Sequence, residues 1–463
     1  MATTCTPEEP LVVILGTTGT GKSDLAVDLA LKFNGEIINA DAMQMYRGLP
    51  VITNQLSLEE QQGVPHHFLA NINPNEPTWT VDSFAREAKK LIREIRSRGK
   101  LPIVVGGTHY YIHALLFEDQ LVGSQGAQHD NPDHRSQEEI ITQFPILGGP
   151  TDLMLRRLRE VDPAMADRWH PDDRRKIRRS LEIYLTTGKR ASDVYAEQRQ
   201  AKAMSDPATG PWQSLMFWLY TDPEVLNERL SKRVDKMYKN GLMDEVRSLH
   251  ESRRLRSNQG EAVDLTRGIW QSIGYKQMEP ALEAERNGAS PTKVNQLKET
   301  GIEEIKIATR QYARYQLRWI RRKSIPAFKE HGAMEYLFLL DSSSSDASNF
   351  SANVLEPAAH ICRRFLGGQV LASPSELSST ANQVLAVFGN SNEPANATFK
   401  VKTCETCGVS LQSEDQWEMH IKGRKHYRVL RKLKKTALVP LDPGESGPER
   451  QVERLSMLKE TLK

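Results

Sequence analysis

Short apolar runs punctuate the chain at residues 11–15, 37–38, 103–105, 215–220 and 336–340. Each is about strand length, and helical patterns separate most of them. After the first run, for example, Leu25, Leu29 and Phe33 recur on one face of a helix. Unbroken apolar strands alternating with helices predict an α/β fold, a largely parallel sheet with helices on both faces. The texture changes between residues 118 and 211. Residues 120–150 are polar and rich in Gly, Gln, His and Asp, and read as loop; residues 152–200 read as Arg-dense helices. This stretch is expected to leave the sheet as a helical insertion and to return at Leu215.

A long helix is predicted over residues 301–323. Ile305, Ala308, Tyr312, Tyr315 and Trp319 stand three and four apart and predict one buried stripe. Lys306, Arg310, Arg314, Arg318 and Arg322 run beside it at intervals of four, as either a solvated face or a surface for an anionic polymer. Beyond Asp341 come four serines, and residues 372–397 are rich in Ser, Asn and Pro, the composition of a linker. The resulting division is a core in two parts (1–118 and 213–341), an insertion (119–212), a polar linker with room for a short helix (342–398), a small unit with a basic helix (399–437) and a polar tail (438–463).

Composition narrows the class. A length of 463 residues suggests two to four domains, and 38% hydrophobic content is low enough to require polar linkers or tails. The formal charge of +3 decides little. No run of 18 apolar residues is present, so no membrane partner is expected. Residues 1–10 carry two Glu and neither Lys nor Arg, unlike a secretory or mitochondrial leader. Four cysteines, two of them in one C-x-x-C, make no disulfide framework and suggest a reducing compartment. A cytoplasmic monomer is expected, with a nuclear or mitochondrial pool left open.

Chemistry enters at residues 16–23. Gly16, Thr17, Thr18, Gly19, Thr20, Gly21, Lys22 and Ser23 follow the first apolar run and fit G-x-x-x-x-G-K-[ST]. The glycines let several backbone N–H groups face one point. The following helix N-terminus and the Lys22 ammonium add positive potential, and Ser23 can offer its hydroxyl to Mg2+. The sheet is therefore expected to be P-loop NTPase-like and to bind a phosphate or diphosphate.

A second signal lies near the carboxyl end. Cys404, Cys407, His420 and His426 have the spacing C-x2-C-x12-H-x5-H, which suits tetrahedral Zn2+. So short a unit needs its metal to fold. The five-residue interval between the histidines resembles the matrin or U1-type fingers associated with RNA. Residues 422–435 hold eight Lys or Arg and no acid, a block that attracts phosphates, although a targeting signal or solubilising tail has the same composition. One finger specifies little DNA sequence, which favours RNA.

Further strings connect the two signals: Asn-Ala-Asp-Ala-Met-Gln-Met-Tyr-Arg-Gly at 39–48, Ile-Val-Val-Gly-Gly-Thr-His-Tyr-Tyr at 103–111, Gly-Ile-Trp-Gln-Ser-Ile-Gly-Tyr at 268–275 and Thr-Arg-Gln-Tyr-Ala-Arg at 309–314. With the phosphate loop they resemble, in order, the tRNA dimethylallyltransferases, from about Leu11 to Phe328; the finger resembles the appendix of eukaryotic members. That resemblance implies transfer of a dimethylallyl group from dimethylallyl diphosphate to the exocyclic amine of the adenosine 3′ of the anticodon. It implies Asp41 as general base, with a water-mediated Mg2+ contact as an alternative and compatible role. It implies that Thr18 and Arg233 meet the diphosphate, and that the partner is the tRNA anticodon stem-loop. Asp41, Ala42, Met43 and Gln44 would line the base pocket, and Thr108, Arg175, Arg179 and Gln198 would touch the tRNA. Ala42 departs from the family, which usually has Ser there, so no side-chain role carries over to it. A P-loop kinase, an adenylate isopentenyltransferase and a non-catalytic RNA-binding protein are the rival readings.

Overall fold

The computed structural model describes residues 6–76, 79–117, 137–204, 213–260, 263–265, 267–344, 346–389, 402–411 and 414–437. The strands are β1 (Pro10–Gly16), β2 (Gly35–Asn39), β3 (His66–His67), β4 (Leu101–Val105), β5 (Gln213–Tyr220), β6 (Leu337–Asp341), β7 (Lys402–Thr403) and β8 (Ser410–Leu411). In chain order the helices are α1 (Lys22–Phe33), α2 (Val81–Ser97), α3 (His109–Leu116), α4 (Gln137–Gln143), α5 (Thr151–Val161), α6 (Pro163–Arg168), α7 (Arg174–Thr187), α8 (Ala191–Met204), α9 (Pro223–Lys239), α10 (Leu242–Asn258), α11 (Tyr275–Arg286), α12 (Pro291–Trp319), α13 (Ile325–Glu330), α14 (Ala347–Phe350), α15 (Glu356–Leu366), α16 (Ser379–Gly389), α17 (Glu414–Ile421) and α18 (Arg424–Ala437). They form two compact units: residues 1–124 with 205–395, and residues 125–204 with 396–463.

In the first unit six parallel strands lie in the order β3-β2-β4-β1-β5-β6. The centre of β1 explains the unbroken apolar runs. Val12 and Ile14 enter one core with Leu25, Leu29, Phe217 and Cys362. Leu11, Val13 and Leu15 enter the other with Phe84, Tyr111, Trp218 and Phe328. Both faces are covered, so both sets of alternating positions must be apolar. Helix α1, after β1, packs on the first face; α3, after β4, packs on the second. Because β1 and β4 are neighbours, their chains part at the carboxyl edge and open a crevice there, the usual ligand position in open α/β sheets. The opposite edge holds a structural charge cluster. Glu36 is buried, yet Arg98, Lys100 and His67, at 2.6–2.9 Å, outweigh the burial and hold its carboxyl at about 2.

Three expectations need correction, two of them here. The long helix begins at Pro291, where Ser290 accepts from Lys293 N, and its buried positions are Val294, Gly301, Ile305, Thr309, Ala313 and Gln316. Tyr315 is 53% exposed, and Ala308, Tyr312 and Trp319 are only half-buried. At Gly301 close packing on α11 leaves no room for a side chain, since a Cβ there would stand 2.7 Å from Gln277 O, and Ala313 packs against Leu226 and Leu230 of α9. The segment 342–398 is also not simply a linker. Within its described part, α15 buries Ala358, Ile361, Cys362 and Phe365, and α16 packs Ala381 and Leu385 into the opposite core. Its short polar residues make caps and ties; Thr380 Oγ1, for example, donates to Asp341 Oδ2 at 2.7 Å.

The second unit joins α4–α8 to β7, β8, α17 and α18. Asp162, fully buried, accepts from Met165 N at 3.2 Å and Ser192 N at 2.8 Å, so one carboxylate caps α6 and holds the start of α8. Of residues 120–150, expected as loop, 137–143 are helical and 118–136 lie outside the described residues. The tail at 438–463 also lies outside them. Among the described residues no helix is long and apolar enough to cross a membrane.

Candidate active site

Residues 16–23 make the turn from β1 into α1. Gly21 has φ +85° and caps α1 without a side-chain hydrogen bond, which leaves the first helical amides available to an anion. Inside the loop the Thr17 carbonyl accepts from Thr20 Oγ1 at 2.9 Å and from Lys22 Nζ at 2.7 Å. Gly16 and Gly19 bracket this turn, and among the described residues the half-buried Ser23 hydroxyl makes no hydrogen bond.

The loop is held from outside at Thr18. Arg233 on α9 donates from Nη1 to Thr18 Oγ1 at 2.7 Å. Gln316 on α12 accepts from Thr18 N at 2.8 Å and donates from Nε2 to Gly107 O at 2.9 Å. Gly107 makes room for this: a Cβ there would stand 2.5 Å from Gln316 Nε2 and 3.1 Å from Asp41 Oδ2.

Asp41 follows β2. Asn39 Oδ1 accepts from Asp41 N at 3.1 Å, and Asn39 Nδ2 donates to Asp41 O at 3.1 Å and Phe68 O at 2.9 Å. This fixes the turn, and Met43 N donates to Asp41 Oδ1 at 3.0 Å. Thr108 Oγ1 accepts from Ala42 N at 3.0 Å, joining the ends of β2 and β4. Gln44 turns its amide into the neighbouring loop, where Nε2 donates to Asn54 O at 2.9 Å.

Burial raises the Asp41 pKa, against the pull of the Met43 and Gln44 amides, Lys22 and Arg233. Burial lowers Lys22 to about 8, with Asp41 opposing and Arg233 adding to the fall. Burial likewise brings Arg233 to about 10. His109, buried beside this group, is held near 3 by burial and then by Lys22, so it is neutral at physiological pH; among the described residues its Nε2 has no hydrogen-bond partner. Two cations against one carboxylate leave a net positive group suited to an anion.

In the second unit Arg175 is exposed on α7, while Arg179 Nη1 bonds Glu182 Oε1 at 2.7 Å. Gln198 lies on α8, with its side chain outside the described residues. A cleft of about 470 Å³ between insertion and finger is lined by His170, Asp172, Asp173, Ser410, Leu411 and Gln416, an acidic lining that suits no phosphate. The ligand atoms of Cys404, Cys407, His420 and His426 lie within 4.8 Å of one another. His426 Nδ1 is 3.6 Å from Cys404 Sγ and 3.4 Å from Cys407 Sγ. Zn–S and Zn–N bonds of about 2.3 and 2.0 Å put tetrahedral S and N roughly 3.5 Å apart. Among the described residues His420 Nε2 is buried without a hydrogen-bond partner, which suits a metal-ligating nitrogen.

A family model described as IPP transferase matches residues 44–323, and one described as zinc-finger of C2H2 type matches residues 402–426. A tRNA dimethylallyltransferase of Schizosaccharomyces pombe is 38% identical, the match covering 93% of this chain and 96% of the relative. The tRNA dimethylallyltransferase of Homo sapiens is 36% identical, with 92% and 87% covered. The chain belongs to the tRNA dimethylallyltransferase, or IPP transferase, family. A crystal structure of a eukaryotic dimethylallyltransferase acting on tRNA has a TM-score of 0.73 and 32% identity, covering 93% of this chain and 98% of that one. As a family member the chain is a prenyl transferase.

Of the residues predicted from sequence, the first unit brings together the phosphate loop, residues 41–44, Thr108 and Arg233; Arg175, Arg179 and Gln198 sit on the other unit. Sequence reasoning missed Asn39, His109 and Gln316. Asn39 stands two residues before Asp41, an Asx-turn spacing that offered a clue. Gln316 offered only a polar residue seven positions after Thr309, on the same helical face.

Proposed function

We propose that this chain transfers the dimethylallyl group of dimethylallyl diphosphate to the exocyclic amine of the adenosine 3′-adjacent to the anticodon, releasing diphosphate. The observation that carries the reading is the convergence of Thr18, Lys22 and Arg233 with Asp41 at one sheet edge, in a chain of this family.

In this reading the loop amides, Lys22 and Arg233 hold the diphosphate and stabilise the charge it gains as the carbon–oxygen bond breaks. Arg233 offers only donors, so Thr18 Oγ1 is the acceptor in their contact, and the threonine hydroxyl hydrogen can go to a diphosphate oxygen. The adenine amine attacks the freed allylic carbon. Its nitrogen–carbon bond forms, and the N–H proton passes to an Asp41 carboxylate oxygen. Burial makes that carboxylate a stronger base than an exposed aspartate. Ser23 is the protein ligand suited to Mg2+, which would supply further charge neutralisation at the diphosphate; a hydroxyl with water and phosphate oxygens is a donor set that ion accepts.

The target adenine must leave its stack to reach this edge. Asp41, Ala42, Met43 and Gln44 would form the wall of its pocket. Thr108, whose hydroxyl accepts from the Ala42 amide, keeps a hydrogen to donate. Arg175, Arg179 and Gln198 would contact the tRNA, the two arginines at phosphates, where they position without specifying. Zn2+ would hold the finger folded, and its basic helix would add RNA affinity. The expected setting is a cytoplasmic monomer.

The test supplies labelled dimethylallyl diphosphate with unmodified tRNA or AMP, and labelled ATP with either acceptor. Label entering tRNA alone supports the reading. Label in AMP indicates a free-nucleotide prenyl transferase, and phosphate transfer from ATP a kinase; either overturns it.

A further inference from the structure

Among the buried polar groups that this mechanism leaves idle, Gln316 ties together two loops that border the reacting groups. It is 1% exposed, lies on the inner face of α12, and makes one accepting and one donating bond to backbone on two different loops. We infer that Gln316 is a positioning residue for prenyl transfer, holding the leaving-group side and the acceptor side of the site in one register.

The first bond removes the Thr18 amide from the phosphate cradle. That N–H points to Gln316 Oε1 at 2.8 Å, so Thr18 meets the donor through its hydroxyl and not its backbone. With the amide held by Gln316 and Oγ1 held by Arg233 at 2.7 Å, both ends of Thr18 are fixed from distant helices, and the direction of its hydroxyl hydrogen is restricted. The second bond fixes the Gly107 carbonyl at 2.9 Å. The next residue is Thr108, which holds the Ala42 amide in the turn that carries Asp41. One neutral side chain thus ties the group facing the diphosphate to the turn carrying the proton acceptor.

Only an amide serves both bonds without charge. A carboxylate could accept from Thr18 N but would face the Gly107 carbonyl oxygen without a proton to give. The absent Cβ at Gly107 supplies the space, since it would otherwise stand 2.5 Å from Gln316 Nε2.

The inference rests on the prenyl-transfer reading, so wild-type enzyme is assayed alongside two variants. Gln316→Met keeps the volume and loses both bonds; kcat is expected to fall about 100-fold, as for a small misplacement of reacting groups, with KM for tRNA within about twofold. Gln316→Glu can restore the donor when protonated, so its kcat relative to wild type is expected to rise at least about fivefold from pH 9 to pH 6. A folded Gln316→Met enzyme with wild-type kcat overturns the inference, as does a loss confined to KM for tRNA. If Gln316→Met does not fold, a pH-independent ratio for Gln316→Glu overturns it. Absence of transfer by wild type counts instead against the proposed function.

Discussion

Arg233 and Thr18, 215 residues apart, meet through a 2.7 Å bond from guanidinium Nη1 to hydroxyl Oγ1. Among the described residues Arg233 Nε is buried without a hydrogen-bond partner, so the guanidinium retains a donor for a ligand. Thr18→Val keeps the shape and removes the acceptor. It is expected to lower kcat by roughly 10²-fold, as loss of one leaving-group contact does, and to leave KM for tRNA unchanged. Steady-state kinetics with each substrate varied decides it; a change confined to tRNA KM would place Thr18 on the acceptor side.

Asp41→Asn preserves the size of the side chain and an oxygen for the Met43 amide. As the proton acceptor, Asp41 should be worth roughly 10²–10⁴ in rate. Single-turnover transfer should fall by that factor, while tRNA affinity measured by fluorescence anisotropy stays within about threefold. Transfer within tenfold of wild type would remove Asp41 from the role.

The pH profile of kcat/KM for the prenyl donor follows from two partly buried groups of the free enzyme. Lys22, lowered to about 8, loses its charge as pH rises through that value, and donor capture should fall with it. Asp41, raised by burial, is protonated at a pH above the usual aspartate range and then cannot accept a proton, so the acid limb should lie correspondingly high. A Lys22→Met enzyme should be weak at all pH values and lack the alkaline limb; persistence of that limb would assign it to another group.

Removing Zn2+ with a chelator should unfold residues 402–437, because Cys404, Cys407, His420 and His426 are the convergent centre of that segment. The readout is thiol reactivity: both cysteines become titratable on chelation and are protected when zinc is restored. Deleting the chain from Thr403 onward should reduce the slope of log K against log salt for tRNA by somewhat less than one per lost phosphate contact. The affinity gap between full-length and shortened proteins is then widest at low salt; parallel salt dependences would mean the finger has another partner.

The strands were legible because a strand buried on both faces carries apolar residues at successive positions, and the buried stretches of β1, β4 and β5 do so. The phosphate loop and the zinc ligands were legible because their chemistry depends on fixed local spacing. What escaped depended on distant partners. Gln316 acts on Thr18 and Gly107, 298 and 209 residues earlier, and no local pattern marks it. Tyr312 and Tyr315 suggested a buried stripe by their three-and-four spacing, but Thr309 and Ala313, one helical step away, took the inner face. Serines beyond Asp341 suggested a linker because the residues that cap helices also fill flexible segments. Val354, Ala358, Ile361 and Phe365 carried the opposing signal at helical spacing.

The 298-residue separation of Thr18 and Gln316 also sets an order of events at the ribosome. At roughly 5–20 residues per second, the phosphate loop is made about 15–60 s before the glutamine that fixes it. Strand β1 waits in the same way for β5, and β5 for β6. A nascent chain therefore carries an anion-binding sequence for most of its synthesis without a finished site, and becomes competent only after α12 has supplied Gln316 and β6 has joined the sheet.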